Sequence, residues 1–215
     1  MALNPALSAL RYGSASDPHV IELYLDFVCP FSEKLFYTLF HHVLNADHGP
    51  KPFLKKIQFL FRNQVQPWHP SSTLLHEASL AVAVINRHAP HVWWHVASIL
   101  FQKSKEFYDT ATAHETRQET YNRLADIIVP ESDGSITREE LLSLLSIDKT
   151  APGKTPTNGG NRVTDLLKQQ IKLGRQTGIH VSPTVLVNGL VEGKISSSWT
   201  PEDWCTYLAE LVKSD

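Results

Sequence analysis

The stretch that decides the fold is LYLDFVCPFSEKLF, residues 23–36. Residues from Val20 to Phe27 alternate in polarity and are rich in β-forming side chains, which predicts a strand. From Pro30 onward apolar residues recur at helical spacing, and proline is acceptable in a first helical turn, so a helix is predicted next. Cys29 therefore lies where a strand ends and a helix begins.

The pattern on either side of this stretch divides the chain into five parts. A second strand is predicted over 55–65, which completes a β-α-β unit with a right-handed crossover. Helical periodicity follows, and a later Asn188-Gly189 pair predicts a turn between two short strands. The predicted parts are an N-terminal extension (1–18), a first half (19–66), a helical insertion (67–147), a loop (148–161) and a second half (162–215).

Composition and charge exclude several classes of protein. The chain of 215 residues is 42% hydrophobic and 20% charged, with a net charge of -2, so no nucleic-acid partner is expected. No apolar run reaches the roughly 18 residues that span a bilayer, and no membrane association is expected. The two cysteines are far apart in sequence, which fits a reducing compartment. A cytoplasmic location is expected, with a mitochondrial presequence in residues 1–18 as the alternative.

Cys29 is the candidate nucleophile. A thiol at a helix N-terminus faces unsatisfied backbone N–H groups and the positive end of the helix dipole, and both favour the thiolate. Ser32 lies one turn along the helix, where its hydroxyl is expected to donate a hydrogen bond to that thiolate. The alternative reading of these residues is a buried, unreactive cysteine at a strand end, because cysteine side chains are often buried.

A second motif lies in the other half of the chain. Ser182-Pro183-Thr184 comes directly before a predicted strand. Proline as the first residue of a strand fits a cis peptide bond in a tight turn. The sequence therefore predicts a cis-proline loop at residues 182–184.

The two motifs together resemble the thioredoxin superfamily. Its members share the order found here, in which C-P-x-S opens a helix after a strand and S-P-T precedes a strand, a turn, a strand and a final helix. The helical insertion between the halves is similar to that of the branch containing DsbA, 2-hydroxychromene-2-carboxylate isomerase and the kappa-class glutathione transferases. The resemblance runs from His19 onward and implies an α/β, thioredoxin-like fold with a large helical insertion, as in DsbA.

The resemblance also implies a role for each motif residue. Cys29 matches the nucleophile of this family, or the serine that holds the glutathione thiolate in the transferase branch. Ser182 and Pro183 match the loop whose backbone pairs with glutathione or with a cysteine-containing substrate. The implied substrate-binding residues are Pro30, Phe31, Ser182, Pro183 and Thr184.

Ser32 departs from the dithiol members of the family, which carry a second cysteine at this position. A single thiol can form a mixed disulfide but has no neighbour to expel the substrate. Three alternatives follow: thiol exchange with glutathione as the expected cofactor, a glutathione-transferase or isomerase role, or a thioredoxin-like binding protein or scaffold without catalysis. Sequence leaves the oligomeric state open.

The remaining candidate residues have simpler explanations. The 11 histidines show no convincing ligand spacing, and no metal site is predicted. Residues 129–140 resemble a calcium-binding loop but begin with valine where an aspartate ligand is needed. The preferred reading there is a helix start, with Thr137 as N-cap and Glu140 as its capping-box partner. Cys205 is expected to be a half-buried helix residue without an assigned role.

Overall fold

A single five-stranded sheet forms the centre of the molecule. The computed structural model describes residues 3–45, 51–147 and 153–213. Within them the strand order is β1-β3-β2-β4-β5, with β2 parallel to β3 and every other neighbouring pair antiparallel. The strands are β1 (Arg11–Tyr12), β2 (His19–Leu25), β3 (Ile57–Asn63), β4 (Thr184–Val187) and β5 (Leu190–Val191).

Helices cover the sheet and form the insertion. α1 follows β2, α2 to α6 lie between β3 and α7, and α8 follows β5. The predicted α/β architecture with a helical insertion is confirmed. The described α-helices are α1 (Pro30–Tyr37), α2 (Ser72–Ile85), α3 (Pro90–Gln102), α4 (Asp109–Thr112), α5 (Arg117–Ile128), α6 (Arg138–Leu145), α7 (Thr164–Gln176) and α8 (Pro201–Lys213).

The strand before Cys29 is shorter than predicted. β2 ends at Leu25 rather than at Phe27, because the Asp26 side chain accepts a hydrogen bond from the Val28 backbone N–H at 2.9 Å. The Cys29 N–H bonds to the Asp26 carbonyl at 3.1 Å. A side chain that bonds its own backbone two residues on favours a turn over a strand, so Asp26 turns the chain toward α1.

The insertion packs on the sheet through aromatic side chains. Trp93, Trp94 and Phe101 of α3 are almost fully buried. Phe101 meets Phe27 and Phe36 with ring centroids 4.8 Å apart in both pairs. Aromatic pairs at such distances add to the stabilisation from burial, so the insertion and the segment around Cys29 share one core.

The N-terminal part belongs to this core as well. Residues Pro5–Leu10 form a 3-10 helix, in which Leu7, Ala9 and Leu10 are fully buried. β1 then pairs with β3 at the edge of the sheet. The sequence predicts an extension over residues 1–18 and no strand there, because two residues are too few to show an alternating pattern.

Two local predictions are confirmed at residue level. Asn188 and Gly189 both have positive φ, 50° and 86°, as a two-residue hairpin turn between β4 and β5 requires. Thr137 is the N-cap of α6 and forms a capping box with Glu140. Part of the predicted loop, residues 148–152, lies outside the described residues.

Thr137→Ala should lower the free energy of unfolding by about 1 kcal/mol, because the Glu140 N–H would lose the Thr137 hydroxyl that accepts its hydrogen bond. Urea denaturation of the wild type and the variant measures the difference. Ser143→Ala, on an exposed position of the same helix, is the control and should change stability much less. Equal losses in the two variants would contradict the capping role.

Candidate active site

Cys29 occupies the N-cap of α1 and contacts the second motif. Its side chain is 5% exposed, and its thiol donates a hydrogen bond to the Ser182 carbonyl with an Sγ–O distance of 3.5 Å. The peptide bond between Ser182 and Pro183 is cis. The two motifs, 153 residues apart in sequence, thus form one site in the structure.

Ser32 is the third residue of α1, after the N-cap Cys29, but it uses its hydroxyl differently from the prediction. The side chain is fully buried, and its Oγ accepts a hydrogen bond from the Asp26 backbone N–H at 3.3 Å. Among the described residues, no hydrogen bond joins Ser32 to the Cys29 sulfur. The expected donation to Cys29 is therefore absent from this geometry, although the hydroxyl proton can still rotate.

The predicted substrate-binding residues surround the Cys29 thiol in different ways. Pro30 is exposed, and Phe31 is 62% exposed. The Ser182 Oγ is buried and has no hydrogen-bond partner among the described residues. Thr184 opens β4 and donates its hydroxyl to the Val181 carbonyl at 2.7 Å, a bond that closes the loop on itself.

An open cleft of about 310 Å³ runs past the start of α1. Val28 and Pro30, the two neighbours of Cys29, line one part of it. The other lining residues come from the segment after β3 and from the start of α4; they are His69, Tyr108, Asp109 and Thr110. The cleft gives a small molecule or a peptide side chain access to the surroundings of Cys29.

Asp26 is the residue of this site that sequence reasoning missed. Its carboxylate is fully buried and is held by donors from three parts of the chain. The only signal in the sequence is an acidic residue inside an apolar run, three positions before Cys29. The donors are the Val28 N–H at 2.9 Å, the Gln66 N–H at 2.9 Å, the Ser72 hydroxyl at 2.8 Å and His69 Nδ1 at 3.0 Å.

Comparison with known proteins places this site in a family. The sequence matches the family model described as thioredoxin over residues 7–210. The chain belongs to the thioredoxin family. No curated protein sequence matches it.

The solved structures most similar to this thioredoxin-family chain include DsbA-like proteins. A candidate protein-disulfide isomerase from Pseudomonas syringae is 24% identical, with a TM-score of 0.69 and coverage of 94% of this chain and 99% of the other. Oxidised BdbD from Bacillus subtilis is 20% identical, with a TM-score of 0.63 and coverage of 95% and 92%. DsbA from Chlamydia trachomatis is 14% identical, with a TM-score of 0.63 and coverage of 95% and 90%. At these identities the likeness shows the DsbA-like fold.

His76 extends the Asp26 network of this thioredoxin-family site into the core. It is fully buried on α2, with Nε2 3.9 Å from Asp26 Oδ1. Its Nδ1 lies 2.8 Å from the Asn63 side-chain nitrogen. Because the Asn63 amide donates to Nδ1, the ring proton is on Nε2, which has no hydrogen-bond partner among the described residues. Burial lowers the pKa of His76 from 6.5 to about 4, although Asp26 acts in the opposite direction.

The lowered pKa of His76 predicts that the folded protein loses stability in acid. Between pH 6.5 and about pH 4, the unfolded chain binds a proton at His76 that the folded protein does not, so stability falls as the pH falls. The loss from this group by pH 4 should be about 3 kcal/mol. His76→Gln should flatten the fall in unfolding free energy measured by urea denaturation between pH 7 and pH 4. A variant with the same pH slope as the wild type would contradict this account.

Cys205, the other free cysteine, lies in a separate place. It is half-buried on α8, as predicted, and lines a second cavity with His42, Pro201 and Glu202. Burial raises the pKa of the Cys205 thiol, with Lys51 acting in the opposite direction. A raised pKa keeps a thiol protonated and less nucleophilic, so nothing here assigns Cys205 a part in the Cys29 site.

Metal-ligand clusters and membrane-spanning helices are both absent from the described part of the chain. In residues 3–45, 51–147 and 153–213, no three histidine, cysteine, aspartate or glutamate side chains are grouped closely enough to hold a metal ion. Within the same ranges, no helix has the length and apolar character needed to cross a bilayer.

Proposed function

We propose that this protein is a single-thiol oxidoreductase in which Cys29 forms a mixed disulfide with glutathione or with a cysteine-bearing substrate. The observation that carries the proposal is the contact between the Cys29 thiol and the Ser182 carbonyl, formed at the N-terminus of α1. Membership of the thioredoxin family and the DsbA-like fold support a thiol-disulfide reaction at this position.

The reaction follows from the number of thiols. After Cys29 loses its proton, the thiolate attacks one sulfur of a disulfide R–S–S–R′. The Cys29–S–S–R bond forms, the R–S–S–R′ bond breaks, and R′ leaves as a thiolate. Because residue 32 is serine, a second thiol must come from solution to release R and restore Cys29. The protein then moves a group between thiols, and Cys29 is a reduced thiol again at the end of each cycle.

The site offers substrates both backbone and apolar contacts. The Ser182 carbonyl, which accepts a hydrogen bond from the Cys29 thiol at 3.5 Å, belongs to the backbone of residues 181–183, along which a glutathione or peptide backbone would lie. Phe31 is 62% exposed and Val181, directly before Ser182, is 56% exposed. Exposed apolar side chains on either side of the Cys29–Ser182 contact favour a substrate that is itself partly apolar, such as a cysteine within a polypeptide.

A second candidate function is binding without catalysis. It is favoured by the burial of Cys29, of which only 5% is exposed, and by the engagement of its thiol with the Ser182 carbonyl. In that case the cleft beside Cys29 would bind a partner, and the thiol would only fill space. The two candidate functions differ in whether Cys29 catalyses repeated rounds of disulfide exchange.

Turnover separates the two candidates. The substrate is a peptide carrying one cysteine linked to glutathione, and the assay follows its release as free peptide in reduced glutathione. We expect wild-type protein and Cys205→Ser to accelerate release catalytically and Cys29→Ser to give the uncatalysed rate. Equal rates for wild type and Cys29→Ser would overturn the enzymatic proposal in favour of the binding function.

A further inference from the structure

His69 connects the buried Asp26 carboxylate to the cleft beside Cys29. Its side chain is 21% exposed, with Nδ1 3.0 Å from Asp26 Oδ2, and it lines the cleft together with Val28 and Pro30. Since an ionised carboxylate only accepts hydrogen bonds, the neutral ring carries its proton on Nδ1. Nε2, which has no hydrogen-bond partner within the described ranges, is left with its lone pair available.

The structure also links His69, through Asp26, to the turn that carries Cys29. One Asp26 oxygen binds the N–H of Val28, the residue before Cys29, and the other binds the His69 ring and the Gln66 N–H. A single buried carboxylate thus ties the turn that carries Cys29 to the loop that carries His69. Such a carboxylate orients an imidazole and stabilises the imidazolium ion when the ring accepts a proton.

We propose that His69 is the general base that accepts the proton of the external thiol resolving the Cys29 mixed disulfide, and that Asp26 is its positioning residue. This inference rests on the proposed single-thiol function. It adds a proton acceptor that neither the thiol motif nor the cis-proline loop supplies.

The need for a base follows from Ser32. Because the site has no second cysteine, the resolving thiol comes from solution. Such a thiol ionises like a free cysteine. At its pKa of about 8.5, only about 3% of such a thiol is thiolate at pH 7. Transfer of its proton to a positioned imidazole can therefore raise the reactive fraction by about thirtyfold at most.

The step is balanced in atoms and charge. The incoming R′–SH gives its proton to Nε2 of His69, and the R′ thiolate attacks the substrate sulfur of Cys29–S–S–R. The R′–S–S–R bond forms as the Cys29–S–S–R bond breaks, and Cys29 leaves as a thiolate at the N-terminus of α1. The products are R′–S–S–R, the Cys29 thiolate and the His69 imidazolium ion, which later returns its proton to solvent.

The groups around His69 suit this role. Asp26 faces its Nδ1 from the turn before α1. His76 on α2 is neutral at physiological pH, since burial lowers its pKa to about 4. From the start of α4, Tyr108 and Asp109 line the same cleft, and Asp109 adds a second negative charge. Positive charge on the imidazole is thus met by carboxylates, while the nearby histidine adds no opposing charge.

The test measures resolution of a preformed adduct against pH. Cys205→Ser protein is converted to its Cys29–glutathione mixed disulfide and then mixed with reduced glutathione between pH 6 and pH 9.5. Because the attacking thiol and the bound group are both glutathione, only attack on the sulfur of the bound glutathione frees Cys29. Intact mass after acid quenching measures the loss of the bound glutathione. His69→Gln is compared with the parent. His95→Gln is the matched control, a half-exposed histidine on α3 that pairs with Glu131.

We expect His69→Gln to resolve the adduct about tenfold more slowly than its parent at pH 7, with the two rates converging above the pKa of the thiol, where no base is needed. His95→Gln should match the parent throughout, and added imidazole should accelerate His69→Ala more than the parent. Equal rates at pH 7, or a deficit of constant size at every pH, would overturn the base role. If the parent forms no adduct at all, the proposed function fails and this step with it.

Discussion

Ser32→Cys is expected to convert the single-thiol site into a dithiol site with an internal disulfide. Residues 29 and 32 are the N-cap and the third residue of α1, one helical turn apart and on the same side of the helix. Ser32 is fully buried, so a cysteine there is shielded from competing thiols. The new thiol should attack the mixed disulfide on Cys29 within the molecule. The resulting increase in the rate of release should far exceed the effect of His69.

The expected size of the gain follows from proximity. A positioned internal thiol competes with an external one at an effective concentration far above the millimolar range. Release of a glutathione adduct from Ser32→Cys should therefore be at least about a hundredfold faster than release from the Ser32 protein in about 1 mM glutathione. Rapid acid quenching and intact mass measure both rates, and the product should be lighter than reduced protein by two hydrogen atoms.

Two controls separate this outcome from unrelated effects. Cys205→Ser in every protein removes the only other thiol. Cys29→Ser combined with Ser32→Cys should form no internal disulfide. Adducts on Ser32→Cys as long-lived as those on the Ser32 protein would mean that residue 32 cannot reach the Cys29 sulfur, contrary to the geometry described.

Asp26→Ala is expected to be the most destabilising single change at the site. The carboxylate is fully buried and accepts from two backbone N–H groups, a serine hydroxyl and His69. Alanine would leave these donors without an acceptor in the interior, and each such group costs about 1–3 kcal/mol. With partial relaxation, we expect the free energy of unfolding to fall by about 3–5 kcal/mol.

Urea denaturation at pH 7 measures this loss. Asp165→Ala is the control, because Asp165 is 86% exposed and pairs with Lys168, and exposed ion pairs contribute little. Asp26→Asn keeps the shape of the side chain, but its amide NH₂ would face a group that is itself a hydrogen-bond donor. Its loss in the free energy of unfolding should lie between those of the other two variants. A loss for Asp26→Ala no larger than for Asp165→Ala would contradict the structural role of the carboxylate.

The sequence predicts the thiol site but not the network beneath it. Cys29 and Ser182 could be paired because the order of the two motifs resembles that of the thioredoxin superfamily, in which both contribute to one site. Asp26 could not be read in this way. It lies within an alternating run that predicts a strand, and its partners Gln66, His69 and Ser72 follow β3, about 40 residues later. Their meeting depends on register and loop path, which no local pattern specifies.

The same limit explains Ser32. Spacing along a helix places its hydroxyl on the side of Cys29, and the structure agrees with that placement. Whether the hydroxyl faces the sulfur or a backbone N–H depends on how the preceding turn folds, and that turn is set by Asp26. Because the Asp26 N–H points at Ser32 Oγ, the residue that the sequence analysis missed also decides the role of the residue that it found.

Formation of a mixed disulfide on Cys29 tests the central claim most directly. Cys205→Ser protein is treated with oxidised glutathione and examined by intact mass and peptide mapping, with the Cys29→Ser, Cys205→Ser double variant as control. A reactive single-thiol site predicts one glutathione on Cys29, removed again by reduced glutathione, and none on the double variant. A folded protein whose Cys29 stays unmodified under conditions that modify a free cysteine would contradict the account and leave binding as the function of this fold.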